Sequence, residues 1–121
     1  MALANRAIGY DEVVTRYLHF TLTPGTVDRH WFNGDPWTTH WMNAILVAVP
    51  DGERWVMHSA RRQLDRLQDP NVRKAALEFI RQERIHAREH DAMNALAVAH
   101  GIRMDRLERL FKHIQIGRAH V

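Results

Sequence analysis

One face of the C-terminal half sets the pattern of this chain. Val72, Ala76, Phe79, Glu83, His86, His90, Met93 and Ala97 follow one another at alternating steps of four and three. That spacing places side chains along one face of an α-helix. The stripe is apolar at both ends and carries a carboxylate and two imidazoles in its middle. Asp69-Pro70 ahead of it has the form of an N-cap followed by proline in the first turn. Gly101 stands where a left-handed residue closes a helix. The pattern predicts a helix from about Pro70 to His100, roughly 45 Å long at 1.5 Å per residue.

Upstream, Asp35-Pro36 repeats the cap signal. The run from Trp37 to Val49 is apolar nearly all round, which predicts a buried helix. Pro50-Asp51-Gly52 is expected to break or kink it. A second helix follows from about Gly52 to Leu67, with Glu53, Val56, Ala60, Leu64 and Leu67 on its inner face. Downstream, a short helix begins near Met104 or Asp105, with Leu107, Leu110, Phe111 and Ile114 inward. Residues 1–35 show no clean period. Thr23-Pro24-Gly25-Thr26 and Asn33-Gly34-Asp35-Pro36 are turn signals, Tyr17–Leu22 reads as a short extended stretch, and four aromatics (Trp31, Phe32, Trp37, Trp41) predict an N-terminal arm packed on the helices. The resulting expectation is all-α. Residues 1–35 form an arm and 36–115 a partial helical bundle built on two long antiparallel helices. Residues 116–121, Ile-Gly-Arg-Ala-His-Val, resemble one reading frame of a sequencing-library adapter. They are expected to be a non-native tail, the alternative being an ordinary polar C-terminus.

The polar middle of the stripe is where chemistry is expected. A buried carboxylate costs several kcal/mol, roughly, unless something compensates it, and a cation is the simplest compensator beside histidine. Glu83-x-x-His86 brings two donors within about 5–6 Å on one helix face and has the form of the Glu-x-x-His element of di-metal carboxylate bundles. An i,i+3 ion pair on a half-solvated face is the plainer alternative. Glu53 lies about as far before the turn near Leu67–Pro70 as Glu83 lies after it. An antiparallel pair therefore sets the two carboxylates at one height. A helix-start Glu favoured by the dipole explains Glu53 equally well. His90 is one turn beyond His86 and stays open as a ligand, a hydrogen-bonding partner of a ligand, or a core histidine. The metal set read from the sequence is thus Glu53, Glu83, His86 and His90. His40, Asn43 and Asn94 are placed to support it by hydrogen bonding, with capping or packing as their commoner roles.

Composition narrows the class. The 121 residues suit one domain with a modest core. With no cysteine, disulfides and thiolate ligands are excluded. The longest apolar stretch, Ala44–Pro50, is far too short for a membrane span, and the N-terminus lacks the apolar core of a secretory signal. A cytoplasmic protein is expected. The net charge of +3 is small, and the basic positions lack the aromatic interleaving of a single-strand binder. Neither nucleic acid nor membrane is an expected partner.

Several short motifs together resemble a known family. His30-Trp31, Gly34-Asp35-Pro36, Thr39-His40, Asn43-Ala44, Pro50-x-Gly52-Glu53, Asp69-Pro70, Phe79-Ile80-x-Gln82-Glu83-x-x-His86 and His90-x-x-x-Asn94 occur in that order. The combination resembles the bacterial predicted metal-dependent hydrolases, over nearly all of residues 17–112. The resemblance implies a ferritin-like bundle with Glu53, Glu83 and His86 at ligand positions and His90 at a recurring histidine. The chain departs from the family at Ile45, usually Ser, and at Trp55-Val56, usually aromatic. The resemblance also implies two further helices with a second Glu and a second Glu-x-x-His-like element, which this chain does not carry, so it is expected to be the N-terminal half of the site. The function expected of the intact protein is a di-iron or di-manganese carboxylate enzyme. It would perform oxygen activation or metal-water hydrolysis on a small-molecule substrate, with zinc as a further metal option. On this reading the isolated chain is inactive, binds metal poorly, and exposes an apolar groove along Ala76, Phe79, Met93 and Ala97. A symmetric homodimer that completes the site from two copies and a metal-free helical interaction protein are the rivals.

Overall fold

Two Asp-Pro pairs start helices, each by the same physics. Asp35 accepts the Thr38 N–H at 2.6 Å, and Asp69 accepts the N–H groups of Asn71 and Val72 at 2.8 and 3.4 Å. In both helices proline occupies the first turn, where its missing N–H costs nothing. The computed structural model describes the backbone of residues 14–118 and the side chains of 14–114. Helix α1 is Pro36–Leu46, α2 Val49–Gln63, α3 Pro70–Ala99 and α4 Asp105–Arg118. A single 3-10 turn, Leu64–Arg66, ends α2. The described residues contain no strand, and the chain is all-α. Residues 1–13 of the expected arm and 119–121 of the expected tail lie outside the described residues.

The expected break at Pro50 falls elsewhere. α1 ends at Leu46, and Pro50 is buried in the first turn of α2. Proline opens a helix there, so the chain turns at Val47-Ala48 and α2 starts three residues before Gly52. The C-terminal stop is as expected: Gly101 has φ +78°, a conformation that disfavours any residue with a Cβ.

α2 packs along α3, and the pair forms the body of the molecule. One apolar cluster, Met57, Ile80 and Ala87 with Ala60 and Leu64, fixes the outer part of the pair. A second, Val47, Ala97 and Met104 with Ile102, Leu107 and Phe111, ties the far end of α3 to the α1–α2 turn and to α4. Only Leu107 and Phe111 of the expected inner face of α4 pack inward; Leu110 and Ile114 are exposed.

The arm covers a second side of α3. Thr15 bonds to Glu78, the Arg16 N–H to Gln82, the Leu18 carbonyl to Arg88 and the Phe20 N–H to Glu89. From Glu78 to Glu89 the helix rises roughly 16 Å at 1.5 Å per residue. Thr15 to Phe20 matches that only when nearly fully extended, at ~3.3 Å per residue. After the Thr23–Thr26 turn, the Val27 carbonyl meets His100 Nε2 at 2.9 Å, at the end of α3.

This two-sided cover revises the expected burial. Of the stripe, only Ala97 is fully buried, whereas Ile80, Ile85, Ala87, Glu89 and Leu96 are buried off it. At about 100° per residue, the stripe points between the α2 side and the arm side of α3 and so lines an open groove. Phe79 is 41% exposed there. Ala76 and Met93 are half-buried, and Ala97 is closed off by Val47 and Met104. The expectation of a wholly buried α1 also fails. Trp37, Trp41 and Ile45, at steps of four, are 78%, 58% and 42% exposed, because α1 turns only Thr39 and Asn43 fully inward.

Candidate metal centre

Where the groove crosses the middle of α3, three donors converge. Glu53 comes from the second turn of α2, and Glu83 and His86 from consecutive turns of α3. One donor atom from each lies within 4.8 Å of the other two. Among the described residues no other three His, Asp or Glu side chains come that close. His86 Nδ1 stands 3.9 Å from Glu53 Oε1 and 3.9 Å from Glu83 Oε1. The antiparallel packing of α2 on α3 puts the two carboxylates at one height.

The donors differ in how well they are satisfied. Glu53 is held by His90, whose Nδ1 lies 3.0 Å from both carboxylate oxygens. Glu83 has no hydrogen-bond partner among the described residues, although its side chain is only 18% exposed. Most half-buried carboxylates find donors, and this one faces a second carboxylate and an imidazole. His90 falls outside the three-residue group and bonds to one of its members. His86 is oriented from its other edge, where Nε2 lies 2.9 Å from Gln82 Nε2.

The supporting residues read from the sequence do other work. Asn94 donates to the Leu46 carbonyl at 3.3 Å and so ties α3 to the end of α1. Asn43 is buried and accepts the Trp31 indole N–H at 3.1 Å. His40 is exposed and meets the His30 ring edge-on, with centroids 5.9 Å apart. None of these reaches the carboxylates. Sequence reasoning passed over Gln82 as a working residue. Its one signal is its place four residues before His86, a neighbour on the helix surface. Arg54 and Asp91 form an ion pair across the α2–α3 seam beside the site, which holds the Arg54 guanidinium above its usual pKa.

A concavity of about 420 Å³ adjoins the centre on the arm side. Phe20, Leu22, Val27, Trp31, Leu46 and Met93 line it, with His90 and Glu89 at its polar edge. Glu89 is already engaged. The Phe20 N–H and then Arg88 hold its carboxyl below the usual carboxylate range. His90 is thus shared between the carboxylate centre and the concavity.

A family model matches residues 14–120, and its description is "predicted metal-dependent hydrolase". The chain belongs to the predicted metal-dependent hydrolases. The match spans all three donors, His90 and the concavity. No curated protein and no solved structure gave a match. No helix among the described residues is long and apolar enough to cross a membrane.

Proposed function

We propose that Glu53, Glu83 and His86 hold a divalent metal ion and that this predicted metal-dependent hydrolase acts with it on a small substrate having an apolar body. The observation that carries the reading is the convergence of two carboxylates and an imidazole, with Glu83 lacking any hydrogen-bond partner among the described residues. Donors about 2.0–2.2 Å from one ion stand roughly 3–4.4 Å apart. The donor atoms here lie within 4.8 Å of one another, close to that range. Two oxygens and one imidazole nitrogen, without sulfur, suit iron or manganese and also admit zinc.

A bound ion would supply Lewis acidity and a water of lowered pKa. The chain's own residues do the rest. His90 orients Glu53 through its Nδ1, as partners of metal ligands do. The apolar concavity takes the body of the substrate and excludes water beside the centre. Its polar edge at His90 directs the reacting end toward Glu53. Three donors leave open coordination positions on one ion for water or substrate, and the family's description favours hydrolysis as their use. The di-iron or di-manganese form is a second reading, favoured by the two carboxylates at one height on facing helices, the placement that lets carboxylates bridge two ions.

Stoichiometry tests both. Metal-free protein titrated with Mn(II) or Fe(II) is expected to retain one ion per chain on the first reading and two on the second. Retention unaffected by Glu83→Gln would reject both.

A further inference from the structure

Gln82 joins the arm to a candidate ligand through a single amide group. Its Oε1 accepts the Arg16 N–H at 2.7 Å, and its Nε2 donates to the Arg16 carbonyl at 3.4 Å. Those two bonds leave the amide one orientation. The other N–H of the same NH2 group then points at His86 Nε2, 2.9 Å away. An amide NH2 only donates. His86 Nε2 therefore accepts, and the ring proton sits on Nδ1, on the side of Glu53 and Glu83.

A metal ion reverses that demand. A neutral imidazole has one lone pair and one N–H. When one ring nitrogen gives its lone pair to an ion, the other carries the proton and needs an acceptor. Gln82 provides an acceptor only by turning its amide over. The turn sets its NH2 against the Arg16 N–H and its oxygen against the Arg16 carbonyl, so both bonds to the arm are lost. The conflict arises when the ion is met by Nδ1, the ring nitrogen that faces Glu53 and Glu83.

We propose that Gln82 is a positioning residue that sets metal binding at His86 against docking of the arm at Arg16. With the arm docked, His86 is held with its proton toward the carboxylates. With metal bound, the amide turns and Arg16 is freed. Phe20 keeps its own anchor on Glu89, so the release is confined to the Arg16 end of the arm. The coupling rests on the metal reading above.

The test uses the full chain, with Zn(II) as a diamagnetic probe and calorimetry to count bound zinc. Imidazole 15N shifts of metal-free protein are expected to show His86 protonated at Nδ1 and bare at Nε2. On zinc binding, exchange of the Arg16 amide should speed up about tenfold, as loss of its hydrogen bond implies. Gln82→Glu accepts from both neighbours, so Arg16 should stay protected with and without zinc. In Gln82→Leu, Arg16 should be unprotected in both states. A His86 proton on Nε2 in metal-free protein would overturn the positioning role. Zinc uptake with an unchanged Arg16 amide in wild type would overturn the coupling alone. Failure to take up zinc would overturn the metal reading and the coupling with it, while the tautomer measurement would still decide whether Gln82 orients His86.

Discussion

Two sides of α3 carry the same residue types and use them in opposite ways. On the arm side, Glu78, Gln82 and Glu89 meet donors at nearly every oxygen. Glu78 takes Thr15 and Arg81, Gln82 takes the Arg16 peptide, and Glu89 takes Phe20 and Arg88. On the groove side, Glu53 and Glu83 face each other and His86, and among the described residues the one donor to either is the ring of His90. The first side is a closed set of hydrogen bonds that fastens an extended segment to a helix. The second gathers negative charge and leaves it short of partners. Residue type alone does not separate the two sides; the hydrogen-bond partners do.

Substitutions should separate the two sides. Glu89→Ala leaves the Phe20 N–H and the Arg88 guanidinium without their partner. It should lower stability, read by chemical denaturation, and leave metal affinity nearly unchanged. An equal loss in both would show that the two sides are not independent. Glu83→Gln should do the reverse. It removes one of two facing carboxylates, so the metal-free protein should gain stability on the order of 1 kcal/mol, while metal affinity falls. A destabilised Glu83→Gln protein would mean that Glu83 is structurally satisfied after all.

Acid should loosen the arm. The Thr15 hydroxyl, and then Arg81, hold the Glu78 carboxyl below its ordinary pKa. A carboxyl depressed in the fold stabilises it above the unfolded value, about 4.3, and loses that contribution as pH falls through the folded value. Arm protection at Thr15 and Arg16 should therefore be flat above about pH 5 and decline below about pH 4. Hydrogen exchange across that window checks it. A decline already present near pH 6 would point to a histidine instead.

Much of this was legible in the chain because it is local. The Asp-Pro caps, the stop at Gly101 and the spacing through Glu83 and His86 depend on neighbours within one or two turns. The matching heights of Glu53 and Glu83 followed from counting residues to a turn. What the periodicity missed depends on docking. Glu89 is buried where it takes the Phe20 N–H of a segment with no period of its own, and Ile85 is buried off the stripe, so α3 has two covered sides where one stripe was expected. The same docking turned the stripe toward an open groove. α1 shows that apolar content does not fix burial, since its Trp37 and Trp41 meet solvent while Thr39 and Asn43 fill the interior. Gln82 acquires its role only once the arm is laid beside it.

The proposed metal centre unites Glu53, Glu83 and His86. Titrating metal-free wild type, Glu53→Gln, Glu83→Gln, His86→Ala and His90→Gln with Mn(II), and counting ions retained per chain, tests it most directly. Wild type should bind saturably, and each of the first three variants should lose about 100-fold or more in affinity, at or above the upper end of what loss of a ligand's partner costs. For His90→Gln the expected loss is about tenfold, as befits the partner of a ligand. Wild-type protein that takes up no metal, or three variants that bind as tightly as wild type, would contradict it.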